Sequence, residues 1–394
     1  TDPKFSDPTQ LHDSDAYMWL SRVKDLAASG AWFDHLNNRI SPPEGLVQHW
    51  TRPMDVLLLA GALLLSPLVG FEDGLLYWGI VLSPLLHALT LLVLVQGCRS
   101  LVEAGLLPPA QLPLVGILFM AQVGAYAPFF AGRPDHHAPL ALLFVLNLCL
   151  WLRLVTSDGR EGSRPWTAVA LGIVGAVAVW INVASLVFVA IGMAALCAEW
   201  IWWGPGRAGR NAVYGLALLG GAAIALLVEW GPASLSVRQP DTLSVSHLAL
   251  FALVSAFWGG LYFLERTQLA AAARTRLLAV LAAGAGVLSL LALGFPELLG
   301  HPYGEGDPVM HAAFLEHTSE LKPIHRIATG IGPTIGVILL LLGSGLAAML
   351  YLVHKLSRSA TPEQRLIFLF LTLTLAGYSV MAAGQVRWTD HVAL

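Results

Sequence analysis

Carboxylates and imidazoles gather in four short clusters: Asp13-Ser14-Asp15-Ala16-Tyr17, Gly132-Arg133-Pro134-Asp135-His136-His137, Pro240-Asp241-Thr242-Leu243-Ser244 and Glu316-His317-Thr318-Ser319-Glu320. Such groups are costly near lipid unless they are paired or bind metal, so their gathering beside long apolar runs points to a site. Asp135 and His137 stand two residues apart, and both types ligate divalent cations. A carboxylate oxygen with an imidazole nitrogen suits Mn²⁺ or Zn²⁺ better than Ca²⁺. Arg133 beside them could grip a phosphate in a bidentate fork. A solvated loop with a helix cap is the other reading of this cluster. Asp15, followed by Trp19 and Arg22 on one helical face, could bind a cation or orient an acceptor, or serve as a helix N-cap.

Further chemistry-bearing residues are more dispersed. His49-Trp50-Thr51-Arg52-Pro53-Met54-Asp55 crowds a histidine, an arginine and an aspartate at the entry to an apolar run, where an aromatic belt with a capped helix is equally expected. Asp241, Ser244 and His247 read first as a helix cap. In 297–326 most charges face solvent, with Ser319-Glu320-Leu321-Lys322-Pro323 singled out because Glu320 precedes an apolar run. Arg133, Arg238, Arg326 and Arg387 occur one per loop near apolar boundaries, the depth of a lipid-linked phosphate, though ordinary lipid headgroups bind such arginines too.

The elements that must position these groups are membrane helices. Of 394 residues, 56% are hydrophobic and only 12% charged, about half the charged share of a soluble domain. Apolar runs near 75–98, 111–130, 138–156, 166–181, 183–203, 212–229, 245–264, 277–296, 328–353 and 366–384 approach the length of about 20 residues that a span needs. Arg153, Arg160 and Arg164 share a loop; so do Arg207 with Arg210, Arg266 with Arg274 and Arg276, and Lys355 with Arg358 and Arg365. The positive-inside rule places these loops in the cytoplasm and the acidic clusters outside, with every histidine except His87 and His354. For Asp15 to share that outer face, 54–70 must not cross, and its Pro67 suits a surface or re-entrant helix. The expected architecture is all-α and polytopic, with about 10–11 transmembrane helices (the eleventh if a helix precedes Thr1). Residues 1–74 form a first extracytoplasmic loop, and 75–394 form a transmembrane domain with an extracytoplasmic loop at 297–326. Cys98, Cys149 and Cys197 lie in or beside apolar runs and read as small buried hydrophobes. No basic tract suggests nucleic acid.

These motifs resemble those of the GT-C superfamily of polytopic glycosyltransferases, and most of all the catalytic subunit of oligosaccharyltransferases. Ser14-Asp15-Ala16-Tyr17 is similar to that family's first motif, whose Asp binds metal and acceptor. Gly132-Arg133-Pro134-Asp135-His136-His137 corresponds to the second, with His137 in place of its second acid. Glu320 stands where the family has an external-loop Glu that engages acceptor and metal. These 394 residues depart from the family in carrying no Trp-Trp-Asp-Tyr-Gly motif.

The resemblance implies a GT-C fold and inverting transfer of a sugar or oligosaccharide from a polyprenyl phosphate or diphosphate to a glycan, lipid or protein acceptor. The active site would face the periplasm or exterior of a bacterial inner membrane. Asp15, Asp135 and Glu320 would be catalytic, and Asp15, Asp135 and His137 would hold a divalent cation, Mn²⁺ or Mg²⁺. Arg133, Arg326, Arg387, His49 and Arg52 would contact the donor phosphate. A flippase or transporter of lipid-linked sugars is the competing class; it predicts polar or broken helices at the midplane, whereas the charges here gather at one face.

Overall fold

Within lipid every backbone N–H and C=O must be satisfied inside the protein, so apolar runs of this length fold as helices. A computed structural model describes residues 11–40, 42–156, 165–300, 318, 322–326, 330–359 and 361–394, and the described chain is all-α apart from one short antiparallel ribbon, Leu36–Asn37 with Leu46–Val47. The principal helices are α1 (Ser14–Ser29), α2 (Arg52–Val69), α3 (Phe71–Glu103), α4 (Leu112–Ala121), α5 (Val123–Tyr126), α6 (His137–Thr156), α7 (Pro165–Ile181), α8 (Leu186–Trp203), α9 (Ala208–Trp230), α10 (Val245–Glu265), α11 (Ala273–Gly294), α12 (Ile331–Arg358), α13 (Pro362–Gly384) and α14 (Thr389–Ala393). Among the described residues, nine helices are long and apolar enough to cross a membrane, α2 among them, while α7 at 17 residues and the apolar stretch Pro109–Ala121 are shorter.

Two apolar cores hold the helices together. The larger gathers Phe144, Trp151, Trp200, Trp258 and Phe370 from α6, α8, α10 and α13, with Trp151 stacked on Phe370 at 3.6 Å between ring centroids. The smaller joins α1, α2 and the first half of α3 through Trp19, Met54, Leu58, Leu75 and Leu82. Here α2 doubles back along α3: the Trp78 indole donates to the Leu57 carbonyl at 2.9 Å and its ring covers Gly61. With 33 residues, α3 is about 50 Å long and exceeds the hydrocarbon thickness of about 30 Å.

Helices α7 and α9 approach closely. A Cβ added at Gly172 would lie 2.6 Å from the Tyr214 carbonyl oxygen and 2.7 Å from the Leu218 nitrogen, both backbone atoms. Small residues let membrane helices approach in this way. Gly172→Val is expected to destabilise the protein by at least about 1–3 kcal/mol, read as a lower thermal midpoint in detergent; an unchanged midpoint would contradict the packing.

A buried charge cluster fastens the N-terminal polar block to the bundle. Asp55, 0% exposed, accepts from Arg22 Nε at 2.9 and 3.1 Å and from Arg52 Nη1 at 2.8 Å. Arg52 also donates to the carbonyls of Trp32 and Asp34 at 2.7 and 2.6 Å. Glu229 of α9 accepts from the Arg52 backbone N–H at 3.0 Å and from Trp180 Nε1 at 2.6 Å. His35 fits between Arg22 and the Glu229 carbonyl. Burial, reinforced by the Arg52 charge, pushes the His35 imidazole down to about 4. Its neutral form is therefore the one the fold favours. The stability it contributes is full above its unfolded value of about 6.5 and is lost as pH falls from there through 4. We expect the thermal midpoint to drop across that window, by up to about 3 kcal/mol of stability, and His35→Gln to flatten the profile.

Candidate active site

The first acidic motif divides its labour. Asp13, in extended backbone, is the N-cap of α1 and accepts from the Ala16 N–H at 2.9 Å. Asp15 falls in the first turn and is exposed. The segment just before it is tied to the second motif: the His12 N–H donates to the Gly132 carbonyl at 2.7 Å, and the His12 ring stacks on Phe130. Arg133 completes the link, with Nε 3.4 Å from Asp13 Oδ2, Nη2 3.7 Å from Asp135 Oδ2 and Nη1 donating to the Ala127 carbonyl at 3.1 Å.

Asp135 and His136 immediately precede α6, which begins at His137. Asp135 is only 2% exposed. Its Oδ1 lies 2.6 Å from His136 Nδ1 and accepts the His136 N–H at 2.5 Å; its Oδ2 lies 3.7 Å from His137 Nε2. Burial opposes a charge there, but the electrostatic pull of His136, His137 and Arg133, with the hydrogen bond from His136, outweighs it and holds the carboxyl well below its usual range. The start of α6, with its positive dipole end, favours the anion as well. One ligand atom from each of Asp135, His136 and His137 falls within 4.8 Å of the others. One carboxylate with two imidazoles is a donor set that suits Mn²⁺, Fe²⁺ or Zn²⁺, so the residues fit a divalent cation. His136 is thereby added to the expected ligands, and it was hidden in the sequence because it is adjacent to the other two.

These groups open onto a cleft of ≈ 350 Å³. Asp15, His49 and Trp50 come from the N-terminal block, His136 and His137 from the start of α6, and Asn182, Ala184 and Ser185 from the α7–α8 turn. Thr318, Tyr378, Arg387, Trp388 and His391 close the far side. Arg387 stacks over the Trp388 ring at 5.1 Å, and its buried Nε has no hydrogen-bond partner among the described residues. His391 lies flat on Tyr378 at 4.8 Å. It also lines a second, largely apolar cavity of ≈ 450 Å³ bounded by Phe144 and Leu148 of α6, Leu352 of α12 and Leu371 and Leu375 of α13. The polar cleft and the apolar groove thus share one wall.

No family model and no curated protein matches this sequence. Solved structures do. The apo crystal structure of the Archaeoglobus fulgidus oligosaccharyltransferase is similar with a TM-score of 0.72 and 16% identity, over 98% of this chain and 45% of that one. The archaeal oligosaccharyltransferase from the same organism, in complex with an inhibitory peptide and a dolichol-phosphate, gives 0.71 at 16% identity over the same shares. The complex with Zn and sulfate gives 0.61 at 16%, over 98% and 44%. The chain has an oligosaccharyltransferase-like GT-C fold. It spans less than half the length of those structures, and the likeness extends to the fold.

Within this oligosaccharyltransferase-like fold the expected residues are unequally placed. Asp15, His49, His137 and Arg387 line the cleft, with Asp135 buried directly behind His136 and His137. Arg133 does not line it; its guanidinium joins Asp13 to Asp135 instead. Arg52 does not line it either, and its side-chain donors are engaged by Asp55 and by backbone carbonyls. Arg326 is exposed and lies outside the lining. Glu320 lies outside the described residues. Ser244 and His247 form a reciprocal capping box at the start of α10, with His247 0% exposed, so this cluster is a cap. Asn182, Tyr378, Trp388 and His391 escaped the sequence reading. The one signal for the last two was a polar Arg387-Trp388-Thr389-Asp390-His391 run after the final apolar stretch.

Proposed function

We propose that this protein is a membrane glycosyltransferase that moves a sugar or oligosaccharide from a polyprenyl phosphate or diphosphate to an acceptor at the extracytoplasmic face. The observation that carries this reading is the shared wall at His391, where a polar cleft with a carboxylate, imidazoles and a partner-lacking arginine nitrogen adjoins an apolar groove. A lipid-linked sugar has that same division, a polar head on an apolar tail. The groove would take the first isoprene units, and Arg387 would hold the phosphate.

The reaction would proceed as an inverting displacement. The acceptor's nucleophilic atom forms a bond to the anomeric carbon as the carbon–oxygen bond to the lipid phosphate breaks. Asp15 takes the acceptor proton, and the polyprenyl phosphate departs with the bonding electron pair. Arg387 meets the charge that develops on the leaving group, the kind of stabilisation that contributes most when the donor is fixed in advance. Asp135, His136 and His137 would hold a divalent cation, for which their donor set favours Mn²⁺ or Zn²⁺ over Mg²⁺, and which when bound supplies further positive charge against that phosphate. From its sequence position Glu320 would orient the acceptor. The Zn complex of the archaeal enzyme is consistent with a metal in this fold.

The reading also has a topological consequence. Asp15 and the Asp135 loop serve one cleft, so the chain between them must cross the membrane an even number of times. If α3 and the α4–α5 segment each cross, α2 does not. Its packing along the first third of an over-long α3 supports a place outside the hydrocarbon layer, as part of a first extracytoplasmic region.

Glycosyl transfer by the purified protein from a panel of polyprenyl-linked sugars, with and without added Mn²⁺, Mg²⁺ or Zn²⁺, tests the proposal. Transfer lost on Asp15→Ala supports it. Absence of turnover with every donor, together with donor-lipid scrambling in vesicles, would replace it with the flippase.

A further inference from the structure

A third large cavity, ≈ 620 Å³, lies between the ends of α3 and α6 remote from the cleft. From His137 at the cleft to Arg153 is 16 residues of α6, about 24 Å along the axis, most of the way across a hydrocarbon layer of about 30 Å, and a long arginine side chain snorkels over the remainder. α3 and α6 touch closely at Gly97, where an added Cβ would overlap Cys149 Sγ, and the cavity opens beside this contact. Its inner lining is apolar, including Leu92, Val93 and Leu146. Its outer rim carries Arg99 and Arg153 with Ser100. Both guanidinium groups are exposed, and no ion pair from either to a described residue is present. Glu103, the one carboxylate of the lining, lies one turn beyond Arg99 and has a partner of its own.

We propose that this cavity binds an anionic phospholipid of the leaflet opposite the cleft, its phosphate between Arg99 and Arg153 and its acyl chains against the apolar lining. The order of chemistry along the cavity, cationic at the membrane boundary and apolar toward the midplane, is that of a phospholipid in place. Basic pockets between membrane helices hold acidic headgroups for the same electrostatic reason. The site is separate from the proposed donor site, because none of its lining residues is shared with the cleft or the apolar groove.

The test is native mass spectrometry and thermal denaturation of the full chain, delipidated and then supplied with phosphatidylglycerol, phosphatidylcholine or inorganic phosphate. The comparison is wild type against Arg99→Gln/Arg153→Gln, with Arg99→Lys/Arg153→Lys as the charge-preserving control. One phosphatidylglycerol retained by wild type and the lysine variant, but at least tenfold less by the glutamine variant, is the expected result, with a matching loss of thermal stabilisation. Because both side chains are exposed, the glutamine variant should stay monodisperse without lipid. Equal retention of phosphatidylcholine, or no difference between wild type and the glutamine variant, would reduce the cavity to an ordinary lipid contact and overturn the proposal. Stabilisation by inorganic phosphate as large as by phosphatidylglycerol would also overturn it, leaving an anion site without a lipid.

Discussion

Asp135→Asn is expected to lower glycosyl transfer by about 10²–10³-fold while leaving the fold in place. Asparagine matches aspartate in shape, so the chain before α6 should keep its path. What it removes is the buried negative charge within 2.6 Å of His136 and 3.7 Å of His137. Without that charge the two imidazoles lose their anionic partner, and a three-ligand set becomes two neutral nitrogens with a weak amide oxygen. Affinity for Mn²⁺ or Zn²⁺ should fall together with the rate. The measurement is turnover against metal concentration for wild type, Asp135→Asn and Asp15→Asn. For Asp15→Asn the loss should be about 10²–10⁴-fold, that of a missing general base, with metal affinity less affected. Full activity of Asp135→Asn at every metal concentration would remove the Asp-His-His cluster from the chemistry.

Asp55→Ala should produce the largest loss of stability, on the order of 3–5 kcal/mol, because it leaves buried guanidinium groups without their counter-charge. Arg22 is 8% exposed and Arg52 2%, so neither can turn to water without undoing the packing of α1 on α2. Arg52 keeps its bonds to the Trp32 and Asp34 carbonyls; Arg22 keeps only a 3.4 Å contact to His35 and a cation–π contact with Trp19 at 5.7 Å. The double variant Arg22→Met/Asp55→Leu should recover much of the loss, since apolar replacement of a buried pair is often neutral or better. Thermal denaturation in detergent, at a pH above 6.5 to keep His35 neutral, separates the two outcomes. A single variant as stable as wild type would mean that the cluster is open to water. Transfer should fall in Asp55→Ala as well, because α1 carries Asp15 and depends on this anchor.

Much of this molecule can be read along the chain. Apolar runs of about 20 residues dictate helices, because lipid leaves the backbone no other partner, and the all-α polytopic architecture followed. The alternation of arginine-rich and acidic loops separated the two ends of the bundle before any helix was placed: Arg153 ends α6, whereas Asp135, His136 and His137 stand at or before its start. Asp135 and His137 were legible as candidate ligands because they stand two residues apart, whereas His136 joined them only once its ligand atom was seen within 4.8 Å of theirs.

What the tertiary structure decided lies between residues far apart. Arg22 meets Asp55 across 33 positions, and the Arg52 backbone meets Glu229 across 177. Asp55 stands only three residues from Arg52, but the Trp32 and Asp34 carbonyls that occupy the rest of its guanidinium reach it only in the folded chain. Asp15 was open to a cap or a site role; the direction in which the chain enters α1 gave the cap to Asp13 and turned Asp15 to the cleft. Arg387 and His391, more than 240 positions beyond Asp135, reach the same cleft only because α13 packs against α6 and α8. The sequence by itself determined the all-α, polytopic helical class, since that depends on the length of the apolar runs and on nearest neighbours. Which side chains share a cavity depends on how helices pack, and that is set by the summed contacts of many distant residues.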